Sequence, residues 1–188
     1  MIKRLLFLLA SLLLAAPVLA DQKPLPGDSV YQLGIKLTDQ DGHTWPLAER
    51  RGRVQLVTMF YSSCTMVCPM IIDTMKATRA TLDDASKQKL DLLAVSFDPE
   101  RDTVDALHAY MGKRKLDAPR WTLARAKPQD VRALSALLGL QYRQLPDGEF
   151  NHSSELILLD ADGRILAKTT VIGKVDPAFA AKVKEALR

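Results

Sequence analysis

The sequence predicts an α/β fold in which helices flank a mixed central sheet, with a β-hairpin extension ahead of the main domain. Two observations lead to this prediction. Short apolar segments of strand length alternate with longer segments of helical periodicity, and the last part of the chain reads as a hairpin followed by a helix. The 188 residues, 47% of them hydrophobic, are enough for one domain with a sizeable core.

The strand predictions rest on short runs of β-branched and aromatic residues that end at turn residues. Turn sequences at 39–42 (DQDG) and 160–163 (DADG) each separate the two arms of a predicted hairpin. The two most apolar runs, VQLVTMF and LDLLAVSF, are expected to be buried strands. The predicted strands span residues 31–38, 44–47, 54–60, 90–97, 121–123, 155–159 and 164–170.

The helix predictions rest on apolar residues at three- and four-residue spacing and on residues that start or stop helices. Met70, Ile71 and Met75 recur with this spacing after Pro69, which a first helical turn tolerates because its missing N–H has no partner there. Gly139 is a stop signal for another helix. The predicted helices span residues 69–82, 103–112, 128–138 and 176–187.

The first 20 residues have the features of a secretory signal peptide. Lys3 and Arg4 form a basic start, an apolar run follows at 5–16, and residues 18–20 fit a small-x-small cleavage pattern. The apolar run is shorter than the roughly 20 residues that a membrane-spanning helix needs. We therefore expect a periplasmic protein that is exported through this segment, and an uncleaved membrane anchor with the domain facing the periplasm is the alternative.

The remaining chain is expected to form a single unit. The formal net charge is +4, and the basic residues outside the signal segment are spread over loops, so no nucleic-acid partner is expected. Membrane contact is expected only through a partner or an uncleaved N-terminal segment. The predicted segments are a signal peptide at 1–20, an N-terminal arm at 21–30 and the folded domain at 31–188.

Cys64 and Cys68, the two cysteines of the chain, fall between the strand at 54–60 and the helix at 69–82. A thiol near the first turn of a helix lies at the positive end of the helix dipole, which favours the thiolate. Residues four apart in helical geometry share a face, close enough for a disulfide or for a shared metal ion. In an oxidising compartment such a pair indicates function, because a staple across so short a loop stabilises little. Spacing alone does not distinguish redox work from metal binding.

A third ligand would decide between these two roles, and the chain has three histidines. His43 lies beside a hairpin turn, and His108 lies inside a predicted helix. His152 precedes the strand at 155–159, and a loop in that position can reach the cysteine loop across a central sheet. His152 is therefore the candidate, although a lone histidine is more often structural than a ligand.

Three blocks of the sequence resemble the Sco/SenC family. They are FYSSCTMVCP at 60–69, SFDPERDT at 96–103, and His152 ahead of a strand and the DADG turn. The resemblance extends over about residues 26–187. It implies a thioredoxin-like fold and a copper site formed by Cys64, Cys68 and His152. It also implies a role in delivering copper to the binuclear copper centre of cytochrome c oxidase, or in keeping the cysteines of that centre reduced.

The chemistry of these groups agrees with what the resemblance implies. Two thiolates and an imidazole suit Cu(I), tolerate Cu(II) and could hold zinc. Three protein ligands leave a position open for a ligand from a copper-accepting protein, which is expected to be a cytochrome c oxidase subunit, and an upstream copper donor is a further expected partner. Asp98 and Asn151 are candidates to orient the ligands, and the alternative for Asp98 is that it caps the turn with Pro99.

Two departures from the family pattern favour a redox role. Thr65 stands where many members have proline, and Asn151 stands where an aspartate commonly precedes the histidine. The alternative function is a periplasmic thiol–disulfide oxidoreductase, in which one cysteine attacks a partner disulfide, the other resolves the mixed disulfide, and His152 tunes a thiolate. No other enzyme activity is expected, and a peroxidase is suggested by the implied fold alone.

Four methionines crowd the cysteine region, at positions 59, 66, 70 and 75. We expect them to fill the core or its rim, because Met70 and Met75 fit the apolar face of the helix. The alternative is that Met66, between the cysteines, is an auxiliary copper ligand.

Overall fold

The computed structural model describes residues 23–116 and 119–188, so the predicted signal peptide lies outside the described residues. The strands are β1 (Lys36–Asp39), β2 (Thr44–Pro46), β3 (Val54–Phe60), β4 (Leu90–Ser96), β5 (Trp121–Ala126), β6 (Tyr142–Gln144), β7 (Phe150–His152), β8 (Leu156–Leu159) and β9 (Ile165–Thr169). The helices are α1 (Val67–Ala80), α2 (Asp84–Lys89), α3 (Val104–Arg114), α4 (Pro128–Leu138) and α5 (Pro177–Ala186). Short 3₁₀ helices form at Val30–Leu33 and Leu47–Arg50.

Seven strands form one mixed sheet in the order β2-β1-β5-β4-β3-β8-β9. The centre is parallel, since β4 runs parallel to both β3 and β5, whereas β1 and β8 join antiparallel on either side. Strands β6 and β7 pair with each other in a separate small hairpin. The mixed sheet with flanking helices confirms the predicted α/β class.

The two central strands bring the functional segments together. Every residue of β4 is buried, and so is every residue of β3 after the first, which is why both read as continuous apolar runs rather than alternating ones. Their parallel register aligns Phe60 with Ser96 at the carboxyl ends. The cysteine loop and the turn that follows β4 therefore leave the sheet side by side.

Helix α1 starts at Val67, earlier than predicted, so Cys68 lies inside its first turn. Helix α3 is preceded by Thr103, whose Oγ1 accepts a hydrogen bond from the N–H of Ala106. Helix α4 has the predicted bounds and ends at Gly139, which is left-handed.

Two predictions about local structure were wrong. The stretch predicted as a strand at 31–38 begins as a 3₁₀ helix, because Ser29 caps the N–H of Tyr31 and Gly34 turns left-handed before β1. The hairpin β6–β7 and helix α2 were not predicted. His152 is consequently the last residue of a strand and not part of a loop.

The start of the domain is held at the end of the sheet opposite the cysteine loop. The N–H of Val30 donates to the carbonyl of Gly163, and Ser29 Oγ donates to the carbonyl of Asp162. Because β8 runs antiparallel to β3 and ends beside Gln55, this turn lies at the amino end of β3. Among the described residues no helix has the length and apolar character needed to cross a membrane.

Candidate metal centre

Cys64 lies in the turn between β3 and α1 with its sulfur over the first turn of the helix. The backbone N–H of Cys68 donates to Cys64 Sγ across 3.3 Å. The Cys64 side chain is 7% exposed and that of Cys68 is fully buried. A sulfur in this position acts as a helix cap and lies at the positive end of the helix dipole.

The two thiols differ in acidity. Burial raises the pKa of the Cys64 thiol, but hydrogen bonds from the backbone N–H groups of Cys68 and Met66 favour the thiolate, and the net pKa lies below its ordinary value. Burial raises the pKa of the Cys68 thiol far above its ordinary value, and the neighbouring Cys64 raises it further. Cys64 is therefore the more acidic thiol of the pair.

His152 meets Cys68 at the end of β7. Its Nε2 lies 3.7 Å from Cys68 Sγ, and its Nδ1 lies 2.8 Å from the carbonyl oxygen of Ser153. A carbonyl oxygen only accepts, so Nδ1 carries the proton and Nε2 has a free lone pair directed at the sulfur. This is the tautomer that a metal-binding imidazole requires.

Aromatic rings enclose the imidazole. The Phe97 ring centroid lies 5.0 Å from that of His152, and the Tyr61 ring stands edge-on to it at 5.9 Å. Tyr142 packs on Phe97 at 4.9 Å, and Phe150 packs on Tyr61 at 5.2 Å. These rings restrict the orientation of His152 and exclude water from one side of the thiol–imidazole pair.

The tip of the β6–β7 hairpin is held from two sides. Tyr61 Oη donates to Glu149 Oε2 across 2.7 Å. On the other side Arg101 donates to the carbonyl of Gly148, and its guanidinium lies 5.9 Å from the Phe150 ring centroid. We call the Tyr61–Glu149 and Arg101–Gly148 contacts the hairpin clamp. The clamp sets the position of the strand that carries His152.

Asp98 acts on this clamp and not directly on the ligands. Its carboxylate accepts a hydrogen bond from Arg101 Nε, and its own N–H donates to Ser96 Oγ. Within the described residues it makes no hydrogen bond to Cys64, Cys68 or His152. Asp98 therefore orients Arg101, which in turn holds the hairpin.

The carboxylate that supports the cysteine loop is Asp102. It is 1% exposed and accepts hydrogen bonds from the N–H of Ser62 at 3.2 Å, from Ser62 Oγ and from Ser96 Oγ. Burial raises the pKa of Asp102, and the two serine hydroxyls oppose that rise. The sequence pattern indicates no separate role for this residue, and its place within the block at 96–103 was the available signal.

Asn151 and Thr65 both have exposed side chains. Asn151 is paired with Arg143 across the hairpin and lines an open groove of about 560 Å³ that runs past His152 and Ser153. Although Asn151 directly precedes His152 in the sequence, its side chain therefore lies on the outer face of the strand.

The other two histidines lie away from the cysteines. His43 Nδ1 is 3.7 Å from Asp39, and His108 Nδ1 is 3.6 Å from Asp41. Both imidazoles are mostly exposed, as expected of a turn residue and a helix-surface residue.

The donor set fits a soft monovalent cation. Two sulfurs and the free lone pair of His152 Nε2 converge, and both sulfurs are buried. Burial raises the pKa of the Cys68 thiol, and repulsion from a neighbouring Cys64 thiolate raises it further. A cation bound between them offsets this repulsion, and thiolate with imidazole is a ligand combination that Cu(I) accepts.

Known proteins resemble this chain over most of its length. The SCO1/SenC family model matches residues 28–188. A SCO2-like protein of Rickettsia felis is 28% identical over 160 residues, which cover 77% of this chain and 75% of the relative.

Two solved structures share the fold. Yeast Sco1, solved with copper bound, superposes with a TM-score of 0.66 at 18% identity, covering 80% of this chain and 84% of that protein. BsSco, a member of the Sco family of cytochrome c oxidase assembly proteins in which a disulfide switch was identified, superposes with a TM-score of 0.67 at 21% identity, covering 81% and 90%. The predicted thioredoxin-like fold is confirmed. From residue 28 to its last residue, the chain belongs to the SCO1/SenC family.

Proposed function

We propose that the protein binds copper through Cys64, Cys68 and His152, and that it delivers copper to, or keeps reduced the cysteines of, the binuclear copper centre of cytochrome c oxidase. The observation that carries this proposal is the contact of 3.7 Å between His152 Nε2 and Cys68 Sγ, with Nδ1 occupied by the Ser153 carbonyl. In this tautomer Nε2 is free to bind a metal ion, and thiolate with imidazole is a ligand combination that suits Cu(I). Yeast Sco1 with copper bound supports the same assignment.

The residues perform separate tasks in this function. Cys64, the more acidic thiol, provides the first strong ligand. Cys68 becomes a ligand only when its proton leaves, and His152 Nε2 is placed to stabilise the bound state. Because the protein contributes three ligands, a sulfur or nitrogen of the accepting protein can occupy the open position before the ion leaves. The acceptor is a cytochrome c oxidase subunit, and an upstream donor supplies the copper.

Location follows from the proposed signal peptide at 1–20. We place the functional protein in the oxidising periplasm, where two free thiols must be protected from oxidation or take part in redox exchange. If the N-terminal segment is retained, the domain is membrane-anchored and faces the periplasm.

The unequal acidity of the cysteines favours thiol–disulfide exchange as a second candidate function. The Cys64 thiolate attacks one sulfur of a partner disulfide, forms a mixed disulfide and releases a partner thiolate. Cys68 then passes its proton to His152 Nε2 and attacks the Cys64 sulfur, which releases the second partner thiolate. Two electrons thus move from the pair to the partner, and Cys64–Cys68 is left as a disulfide. The disulfide switch of BsSco supports this candidate.

Anaerobic competition for Cu(I) tests the copper function. The reduced protein, His152→Ala and Cys64→Ser are each titrated against a chromophoric Cu(I) chelator. Wild type is expected to compete best, His152→Ala less well and Cys64→Ser least. A wild type that competes no better than Cys64→Ser would overturn the copper function. The redox function is tested by measuring the reduction potential of the cysteine pair with and without His152.

A further inference from the structure

Methionines close to the metal centre divide into buried and exposed groups. Met59 and Met75 are fully buried and Met111 is 7% exposed, as core-filling residues should be. Met66 is 77% exposed and Met70 is 44% exposed. A methionine stabilises a fold by packing only when its side chain is buried, so the packing role expected from the sequence does not account for Met66.

Met66 is the residue that precedes α1, and it lies two residues after Cys64. It falls inside the tight turn that is closed by the 3.3 Å contact between the Cys68 N–H and Cys64 Sγ. Two residues along the chain, its Cα is at most about 7 Å from that of Cys64. A methionine sulfur lies three bonds from Cα, and an exposed side chain changes rotamer freely. The thioether can thus reach an ion held by Cys64 without any backbone movement.

Thioether chemistry complements the two thiols. A methionine sulfur is a soft, neutral ligand for Cu(I) and has no proton to lose. Cys68, in contrast, is fully buried, whereas Cys64 is 7% exposed. An ion arriving from solvent therefore meets the sulfurs of Cys64 and Met66 first.

We propose that Met66 is a capture ligand which, with Cys64, binds Cu(I) at the mouth of the site before Cys68 and His152 replace it. The inference rests on the proposed copper function and adds an order of ligand exchange to it. Copper stays Cu(I) throughout, the Cys68 proton leaves to solvent, and the Met66 sulfur is released unchanged. On delivery the same steps run in reverse.

Met70 provides the matched control. It lies one turn further along α1, and its terminal methyl group is near Gly173, which keeps it away from Cys64. Substitution by leucine preserves the apolar surface and removes only the sulfur. A loss specific to Met66→Leu therefore reports ligation and not the loss of an apolar docking contact.

The test follows the methionine methyl groups and the rate of copper uptake. In reduced protein labelled with ¹³C-methyl methionine, substoichiometric Cu(I) is expected to shift and broaden the Met66 signal and leave those of Met59, Met70, Met75 and Met111 in place. Stopped-flow uptake from a Cu(I)–chelator complex is expected to slow at least fivefold in Met66→Leu and to stay unchanged in Met70→Leu. Equilibrium affinity should change less than the rate.

The possible failures are distinct. An unmoved Met66 signal together with wild-type uptake in Met66→Leu would overturn the capture role while Cys64-dependent binding stands. Equal slowing in both leucine variants would also overturn it, since the effect would then be apolar. Absence of Cu(I) binding by the wild-type protein would overturn the copper function itself.

Discussion

Removing the Tyr61 hydroxyl tests whether the hairpin clamp controls His152. Tyr61→Phe keeps the ring against His152 and Phe150 and deletes the hydroxyl, which donates to Glu149 across 2.7 Å and also lowers the pKa of Cys64. Of the two contacts of the hairpin clamp, the one between Arg101 and Gly148 then remains. We expect the hairpin to spend more time away from the cysteines.

The size of the effect follows from the hydrogen bond. A hydrogen bond to a charged group contributes about 1.5 to 3 kcal/mol, but Glu149 is an exposed residue and water competes for it, so we assign about 1 kcal/mol. Copper affinity scales with the fraction of molecules whose hairpin is in place. A loss of about 1 kcal/mol therefore weakens binding by at most about fivefold, because the docked fraction falls by no more than its equilibrium constant does.

A double-mutant cycle separates this effect from any change in Cys64. Cu(I) affinity is measured by chelator competition for wild type, Tyr61→Phe, His152→Ala and the double variant. The clamp acts through His152, so Tyr61→Phe should weaken binding measurably, by at most about fivefold, in the wild-type background and hardly at all in His152→Ala. Glu149→Ala, which leaves Tyr61 intact, should repeat the result. Equal losses in both backgrounds would refute the reasoning, because the hydroxyl would then act on Cys64 alone.

Three further predictions follow from the fold and the site. In single-cysteine variants, iodoacetamide should alkylate Cys64 at pH 7 more than ten times faster than Cys68, because the pKa of Cys64 is lowered and that of Cys68 is raised; equal rates would contradict this asymmetry. Because the pKa of Asp102 is raised in the folded state, its contribution to stability is complete below about pH 4 and is lost as the pH rises through its folded pKa. In urea unfolding, the free energy of unfolding of wild type relative to Asp102→Asn should therefore decrease from pH 4 to pH 7. A difference that stays constant over this range would argue against the reasoning. Gly163 has a φ of 78° and an added Cβ would come within 2.6 Å of the Tyr31 ring, so Gly163→Ala should cost about 1 to 3 kcal/mol in the same unfolding measurement, whereas Gly52→Ala has open space and should cost less.

The elements with strong local signals could be predicted from the sequence. Strands β3 and β4 are continuous apolar runs because both of their faces are buried, and α4 is bounded by Pro128 and by Gly139. Spacing also identified the cysteine pair. Each of these signals lies within the segment that it describes.

The hairpin β6–β7 could not be predicted because its stability comes from distant residues. Its strands are three residues long and half exposed, and they hold their place through Tyr61, Arg101 and Phe97. The same reason explains why Asp102 and the clamp were missed. Burial and contacts between segments decide those roles, and a linear pattern carries no information on them.

The first residues of the domain contact the turn at Gly163, at the end of the sheet opposite the thiols. The chain enters the fold beside Arg51, whose guanidinium binds the carbonyl of Lys23, at the amino end of β3. The thiols and the imidazole lie at the carboxyl end of the same strand, which is the opposite end of the sheet. Any attachment made through the N-terminal residues would therefore leave the sulfurs pointing outward. The exchange of copper or electrons with a docking protein would then need no rotation of the domain about its attachment.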